Sequence, residues 1–289
     1  MPAPIIPHSA ASAPPVHTAP GLSCDAHLHI LDSRLDPRVA ADQDATVEQY
    51  QQAQRLLGTQ RAVVVQPRLY GTDHRVTLDA IARLGPQRTR GIAVVRPDAS
   101  EQALQALHDG GIRGVRMSLH TARHAVLGFD HLEALAHRIH AMGWHLQLHW
   151  TAEQLLEHGR RLLKLPVTVV FDHLARLPVS QGTQHPAFGL VRELLLQGRA
   201  WVKLSGAYLN TALPPGQGYA DLHAVARAWV ALASDRVVWG SDWPHTTEPL
   251  HKPDDSALFD LLYDWAGSSQ AAERILVDNP ARLYGFDDA

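Results

Sequence analysis

Two histidines separated by one residue stand in the segment CDAHLHILD near the start of the chain. The segment predicts a β-strand, in which alternate side chains point to the same face, so His27 and His29 share one face. Ala26, Leu28 and Ile30 are then expected together on the opposite face. Two histidines on the solvated face of an antiparallel strand would give the same pattern, so the rest of the chain must decide between the two interpretations.

Other polar residues follow apolar, strand-like runs further along the chain. They are Tyr70, Arg116, His149, His173, Arg176, Tyr208 and Asp242. Each one alone could be a satisfied core residue, a packing residue, a turn former or half of an ordinary ion pair. Imidazoles and carboxylates at buried strand ends rarely serve a structural role, because buried polar groups need hydrogen-bond partners. Their joint occurrence therefore predicts a catalytic site.

Four of these residues could also hold a metal ion. His27, His29, His149 and Asp242 provide three imidazoles and one carboxylate, a donor set that divalent ions such as Zn²⁺ accept. Arg116, rather than Lys or Glu, ends the fourth predicted strand, which argues against a bridged binuclear site. The residues therefore allow a single divalent ion without requiring one.

Strand-like and helix-like segments alternate along the chain with a period of about 30 residues. After the first strand, we expect strands at 61–66, 90–95, 112–118, 144–149, 167–173, 200–206 and 235–242. We expect helices at 46–58, 75–85, 100–111, 130–143, 151–165, 188–198, 219–232 and 255–267. Eight such pairs predict an α/β fold, a single (β/α)₈ TIM barrel, whose function lies at the carboxyl ends of the strands. A doubly wound sheet is the alternative, but its Gly-rich loop after the first strand is absent.

Composition limits the class of protein. The 289 residues are 45% hydrophobic with a formal charge of −3 and no basic block, so neither nucleic acid nor an anionic membrane is expected as a partner. Cys24 is the single cysteine, which fits a reducing compartment and predicts a cytoplasmic protein. Residues 1–20 hold six of the 19 prolines and are expected to form a disordered or draped extension, with the barrel domain at 21–289.

The ordered motifs CDAHLHI, VVVQPRLYGTD, GVRMSL, FDHLAR, KLSGAY and GSDWPH resemble the amidohydrolase superfamily. They are most similar to the branch that contains 2-pyrone-4,6-dicarboxylate lactonase, sulfomuconolactone hydrolase and galactarolactone isomerase. The resemblance covers residues 21 to 286 and includes the tail ILVDNPARLYGF. It implies a TIM barrel that acts on a small, acidic lactone.

The resemblance also implies roles for individual residues. Asp242 would be the general base for water, with His27, His29 and His173 around the scissile carbonyl. Arg116 and Arg176 would hold a substrate carboxylate, since a guanidinium fork suits a carboxylate, and Arg123 is a weaker third candidate. Tyr70, Tyr208 and His149 are further candidates for contact with the substrate. Lactone opening needs a base for water and a donor or cation beside the oxyanion, and these residue types supply both.

Several alternatives remain open. Tyr208, Leu209 and Asn210 stand where the pyrone lactonase pattern places another arginine, so a lactone other than the dicarboxylate pyrone is expected. An isomerase that uses the substrate's own hydroxyl begins with the same attack on the carbonyl. The branch includes enzymes that work without metal, while a metal-dependent amidohydrolase or decarboxylase and a non-catalytic barrel are more distant readings. A serine hydrolase is excluded because no G-x-S-x-G motif is present, and Cys24 is not expected to face the histidines.

Overall fold

The structure, a computed structural model, describes residues 6–121, 123 and 125–286. In this part of the chain eight strands pair side by side in chain order, each parallel to its neighbours. The strands are β1 Cys24–Leu28, β2 Arg61–Val65, β3 Thr89–Ala93, β4 Ile112–Ser118, β5 His145–His149, β6 Val169–Phe171, β7 Ala200–Leu204 and β8 Val237–Trp239. A bridge between Leu28 and Trp243 joins the segment after the last strand to the first strand. The predicted (β/α)₈ TIM barrel is therefore confirmed.

The strands alternate with helices that cover the outside of the barrel. The helices are α1 Val47–Leu57, α2 Arg75–Leu84, α3 Glu101–Asp109, α4 Leu132–His140, α5 Ala152–Glu157, α6 Gly159–Leu162, α7 Pro186–Leu196, α8 His223–Ala233, α9 Asp255–Ala266, α10 Ser269–Glu273 and α11 Asn279–Tyr284. Among the described helices, none is long and apolar enough to cross a membrane.

Local sequence explains where the helices begin and end. Thr46 and Gln49 form a reciprocal capping box at the start of α1, and Gly58 ends that helix in the left-handed conformation. A second capping box, from Thr151 to Gln154, starts α5. The predicted helix 151–165 is interrupted at His158, so it forms the two short helices α5 and α6.

The first strand departs from simple alternation. Its pairing with β2 shifts register between Asp25 and Leu28, which marks a β-bulge. Cys24 and Ala26 consequently pack together in an apolar cluster built from strand side chains, while Leu28 packs in a different cluster beneath the helices. The expectation that Ala26 shares a face with Leu28 is therefore wrong, and the extra residue of the bulge is the reason.

Above the apolar cluster that contains Cys24 and Ala26, the inside of the barrel becomes polar. Fully or almost fully buried side chains of this layer come from the middle and later strands; they are Arg116, Gln147, Asp172 and Lys203. The chain just beyond these residues carries side chains of the mouth of the barrel, among them His149, His173 and Ser205. The interior therefore places a charged layer directly beneath the predicted catalytic residues.

The described part of the N-terminal extension lies against the barrel. Ile6 and Ala11 are buried in the cluster that includes Trp243, and the His8 ring packs edge-on against Trp243. Further along, His17 stacks on Tyr263 of α9 with ring centroids 4.0 Å apart. The extension therefore packs beside the loop that carries Asp242.

Candidate active site

The seam between β8 and β1 holds the centre of the site. The backbone N–H of Asp242 donates to the His27 carbonyl at 2.8 Å, and the His29 N–H donates to the Trp243 carbonyl at 2.8 Å. The Nε2 atoms of His27 and His29 each lie 3.5 Å from Asp242 Oδ1. The seam therefore brings the H-x-H pair and the predicted base into one group.

A glycine allows this close approach. A Cβ on Gly240 would lie 2.6 Å from His27 Cβ and 2.7 Å from the His27 backbone nitrogen. Contacts that short essentially never occur, so only glycine lets β8 approach the first histidine in this way.

The second histidine of the pair has a defined proton position. His29 Nδ1 lies 2.7 Å from the Val65 carbonyl oxygen, which can only accept a hydrogen bond. Nδ1 must therefore carry the proton, and the Nε2 of neutral His29 presents a lone pair to Asp242.

His173 approaches Asp242 from the far side of the mouth. Its Nε2 lies 3.9 Å from Asp242 Oδ2, and its Nδ1 lies 2.9 Å from Ser205 Oγ. Burial lowers the pKa of His173 to about 4, so the ring is neutral near pH 7. Because a hydroxyl both donates and accepts, Ser205 allows His173 to present either an N–H or a lone pair at Nε2.

His173 begins an unusual turn after β6. Residues 173–176 all have positive φ, between 52° and 60°, although none is glycine. Such a turn is strained for L-residues, and strain of this kind is common at functional sites. Asn210 Nδ2 donates to the His173 carbonyl and Trp229 Nε1 to the Leu174 carbonyl, which stabilises the turn.

The carboxylate of Asp242 is held through one of its oxygens. Tyr208 Oη donates to Oδ2 at 2.7 Å, so the structure places Tyr208 against the predicted base. Burial alone would raise the pKa of Asp242, but the adjacent His173 holds it well below its ordinary value. Asp242 is therefore ionised, as a general base for water must be.

Two buried charged residues that the sequence analysis does not name, Asp172 and Lys203, lie under these residues together with Arg116. Asp172 is fully buried; its Oδ2 accepts from Arg116 Nε at 2.8 Å and from Gln147 Nε2 at 3.2 Å. Arg116 and His27 hold the pKa of Asp172 well below its ordinary value despite burial. Lys203, also fully buried, donates to the Ala26 carbonyl at 2.7 Å, and burial lowers its pKa to about 8. The sequence does carry a signal for these residues, because a polar residue in the middle of a buried strand is costly unless it has a partner or a function.

The two predicted carboxylate-binding arginines differ in their surroundings. Arg116 uses Nε for Asp172, and among the described residues no acceptor contacts its terminal nitrogens. Arg176 is already bonded: NH1 donates to the Leu209 carbonyl at 2.6 Å, and NH2 lies 2.9 Å from His120 Nε2. Arg116 is therefore the better placed of the two for a substrate carboxylate.

The remaining predicted residues lie around this centre. His149 Nδ1 is 3.1 Å from Ser118 Oγ, and the His149 ring stacks on His120 and meets His173 edge-on. Tyr70 is buried in the loop after β2, where its hydroxyl accepts from the Asp32 N–H. Arg123 is exposed in the loop after β4.

The described residues bring together a group of potential metal ligands that differs from the predicted set. His27, His173 and Asp242 each place a ligand atom within 4.8 Å of the others. His173 thus occupies the position expected for His149, with His29 Nε2 beside the group. His27 Nε2 is buried without a hydrogen-bond partner, and the His29 lone pair faces a carboxylate. A cation between these atoms would give His27 Nε2 a partner and would separate the His29 lone pair from the carboxylate. The residues therefore fit a divalent ion.

Comparison with known proteins shows the family of the chain. The sequence model of the amidohydrolase family matches residues 24–286. The chain belongs to the amidohydrolase family. One relative of this amidohydrolase is the 2-pyrone-4,6-dicarboxylate hydrolase of Comamonas testosteroni, 33% identical, with 93% of this chain and 92% of the relative aligned. Another is the D-galactarolactone isomerase of Agrobacterium fabrum, 28% identical, with 82% and 80% aligned. A solved structure from Agrobacterium tumefaciens superposes with a TM-score of 0.87 at 26% identity, covering 96% of this chain and 99% of that one.

Proposed function

We propose that this amidohydrolase opens the ring of a carboxylate-bearing lactone by attack of water. The observation that carries the proposal is the convergence of three imidazoles on one ionised carboxylate, Asp242, at the mouth of the barrel. Relatives named as a pyrone dicarboxylate hydrolase and a galactarolactone isomerase support the substrate class.

Asp242 is the general base in this scheme. Tyr208 holds Oδ2, so Oδ1 remains to take a proton from water as the water oxygen attacks the lactone carbonyl. The tetrahedral intermediate then collapses with cleavage of the ring C–O bond. The departing ring oxygen takes the proton back from Asp242, and the product is an open-chain hydroxy acid.

His173 and Arg116 bind the substrate. When Ser205 donates to Nδ1 of His173, its Nε2–H can hydrogen-bond the carbonyl oxygen as negative charge develops there. The terminal nitrogens of Arg116 offer two parallel donors to a carboxylate. Asp172 fixes the position of this guanidinium through Nε.

A divalent ion such as Zn²⁺ fits the same site. His27, His173 and Asp242 would hold it, with His29 beside them. When bound through a lone pair of His173, the ion would supply Lewis acidity to the carbonyl in place of the His173 N–H.

A panel of muconolactones, pyrones and aldarolactones tests the proposal, with acid release followed by a pH indicator. We expect ring opening of at least one acid-bearing lactone. Mass and NMR analysis of the product separates hydrolysis from isomerisation, because only hydrolysis adds the mass of water. Turnover of an amide or a decarboxylation substrate, with no lactone opened, would refute the proposal.

Asp242→Asn is the matching variant. We expect it to lose about three powers of ten in kcat, the scale of a lost base. Asp260→Asn is the control, because Asp260 lies on α9 and contacts the N-terminal segment at His17 instead of the site. Near-normal turnover by Asp242→Asn would place the base elsewhere.

A further inference from the structure

The two ring nitrogens of His27 face different surroundings. Nε2 points to the mouth of the barrel, 3.5 Å from Asp242 Oδ1. Nδ1 points to the charged layer, 3.4 Å from Asp172 Oδ1 and 3.4 Å from Lys203 Nζ. Which nitrogen carries the proton therefore decides whether His27 donates or accepts at the mouth.

Asp172 needs the proton on Nδ1. Its Oδ2 already accepts from Arg116 and Gln147. Its Oδ1 is fully buried and has no hydrogen-bond partner among the described residues, and the Nδ1 of His27 lies 3.4 Å from it. A buried carboxylate oxygen without a donor costs free energy, so this oxygen favours an Nδ1–H on His27.

Lys203 is the competitor for the same nitrogen. An ammonium that donated to Nδ1 would force the His27 proton onto Nε2. However, Lys203 has its own acceptor, the Ala26 carbonyl, at 2.7 Å, which is much shorter than its 3.4 Å separation from Nδ1. Lys203 therefore keeps a nearer acceptor without His27, whereas Asp172 Oδ1 has no hydrogen-bond partner among the described residues.

We propose that Asp172 is a positioning residue that places the His27 proton on Nδ1 and so presents the Nε2 lone pair to the mouth of the barrel. The Val65 carbonyl does the same for His29. Both histidines of the H-x-H pair are then acceptors in their neutral form. They suit a bound cation and cannot donate to a carbonyl oxygen, a task that is left to His173.

The inference rests on the site proposed above, but its test does not depend on finding the substrate. Two-bond ¹H–¹⁵N correlation spectra of ¹⁵N-histidine-labelled protein distinguish Nδ1–H from Nε2–H rings. His27→Gln and His29→Gln variants assign the two spin systems. We expect both rings of the wild-type protein to be Nδ1–H tautomers. An Nε2–H ring at His27 in the wild type would overturn the proposal directly.

Asp172→Asn should reverse the tautomer of His27 alone. Because two donors face the Oδ2 position, the carboxamide oxygen takes that place and its NH₂ group faces His27 Nδ1. Nδ1 must then accept, and the His27 proton moves to Nε2. His29 serves as the internal control, since a backbone carbonyl fixes its tautomer. A variant that folds and keeps His27 as Nδ1–H would contradict the proposal.

Affinity for Zn²⁺ alone gives a second readout. Titration calorimetry on the metal-stripped protein should show 10- to 100-fold weaker binding for Asp172→Asn, the usual effect of losing a partner behind a metal-binding histidine. Asp255→Asn is the matched control, since Asp255 is another buried carboxylate paired with a histidine, His245, at 3.0 Å. Equal losses in both variants would mean that general destabilisation, not the His27 tautomer, is responsible. The tautomer spectra and the Zn²⁺ titration can both be measured even if the protein opens no lactone, so the two proposals can fail separately.

Discussion

Replacement of Gly240 by alanine tests whether the seam of the barrel controls activity. The added Cβ would lie 2.6 Å from His27 Cβ, 2.7 Å from its nitrogen and 3.1 Å from its Cα. Two of these atoms belong to the backbone, so no side-chain rotation relieves the contact. One strand must move by about 0.4 Å or more merely to reach 3.0 Å, and further to reach ordinary contact.

The expected effect follows from this displacement. Overpacking of a dense interior costs about 1–3 kcal/mol of unfolding free energy. Displacing the H-x-H pair from Asp242 by a sizeable fraction of an ångström should lower kcat/KM by up to about 100-fold. Urea unfolding and steady-state kinetics on a responsive lactone measure the two effects.

Gly189→Ala is the matched control for this variant. Gly189 lies within α7 and its added Cβ would meet nothing within 4 Å. A helical Gly→Ala change there should stabilise the protein by about 0.5–1 kcal/mol and leave kinetics unchanged. If Gly240→Ala behaved like Gly189→Ala in both assays, the argument that the seam positions His27 would be refuted.

Three further predictions concern stability and binding. Burial and the nearby Lys203 lower the pKa of His145 to about 3, so the unfolded chain takes up this proton first as the pH falls below about 6.5. Stability should therefore fall with pH, and His145→Gln should remove about 2 kcal/mol of the loss between pH 7 and pH 5 in urea titrations; an unchanged slope would contradict this. Deleting residues 1–13 removes the buried Ile6 and Ala11, and should cost about 2–4 kcal/mol and lower kcat; unaltered unfolding would mean that the segment contributes nothing. Added Zn²⁺ should raise the melting temperature of the wild type and not of Asp242→Asn, as differential scanning fluorimetry can show.

The sequence was sufficient for the barrel and for the residues at its mouth. His27, His29, His173 and Asp242 meet because alternation of strands and helices predicts the barrel, and parallel strands end on one side. The capping residues Thr46 and Gly58 likewise placed the ends of α1 to within a residue.

Other features depend on contacts that alternation does not encode. The bulge in β1 adds one residue without a glycine or proline to mark it, so Ala26 was placed on the wrong face. His173 by itself explains the FDHLAR motif, so the sequence pattern does not single out Asp172, which bonds Arg116 and lies 3.4 Å from His27 Nδ1. A count of ligand types in the sequence favours His149 as a metal ligand, whereas only the tertiary structure shows that His173 groups with His27 and Asp242.

The left-handed turn at residues 173–176 makes this corner of the barrel a local mirror image of an ordinary helical turn. Its four φ values, from 52° to 60°, are the ones that D-amino acids prefer. Each L-residue there carries about 1–2 kcal/mol of backbone strain. A D-alanine placed at Ala175 by peptide ligation would therefore occupy its own preferred backbone conformation. Chirality, rather than side-chain chemistry, is the property of this turn that protein chemists can change without touching His173 or Arg176.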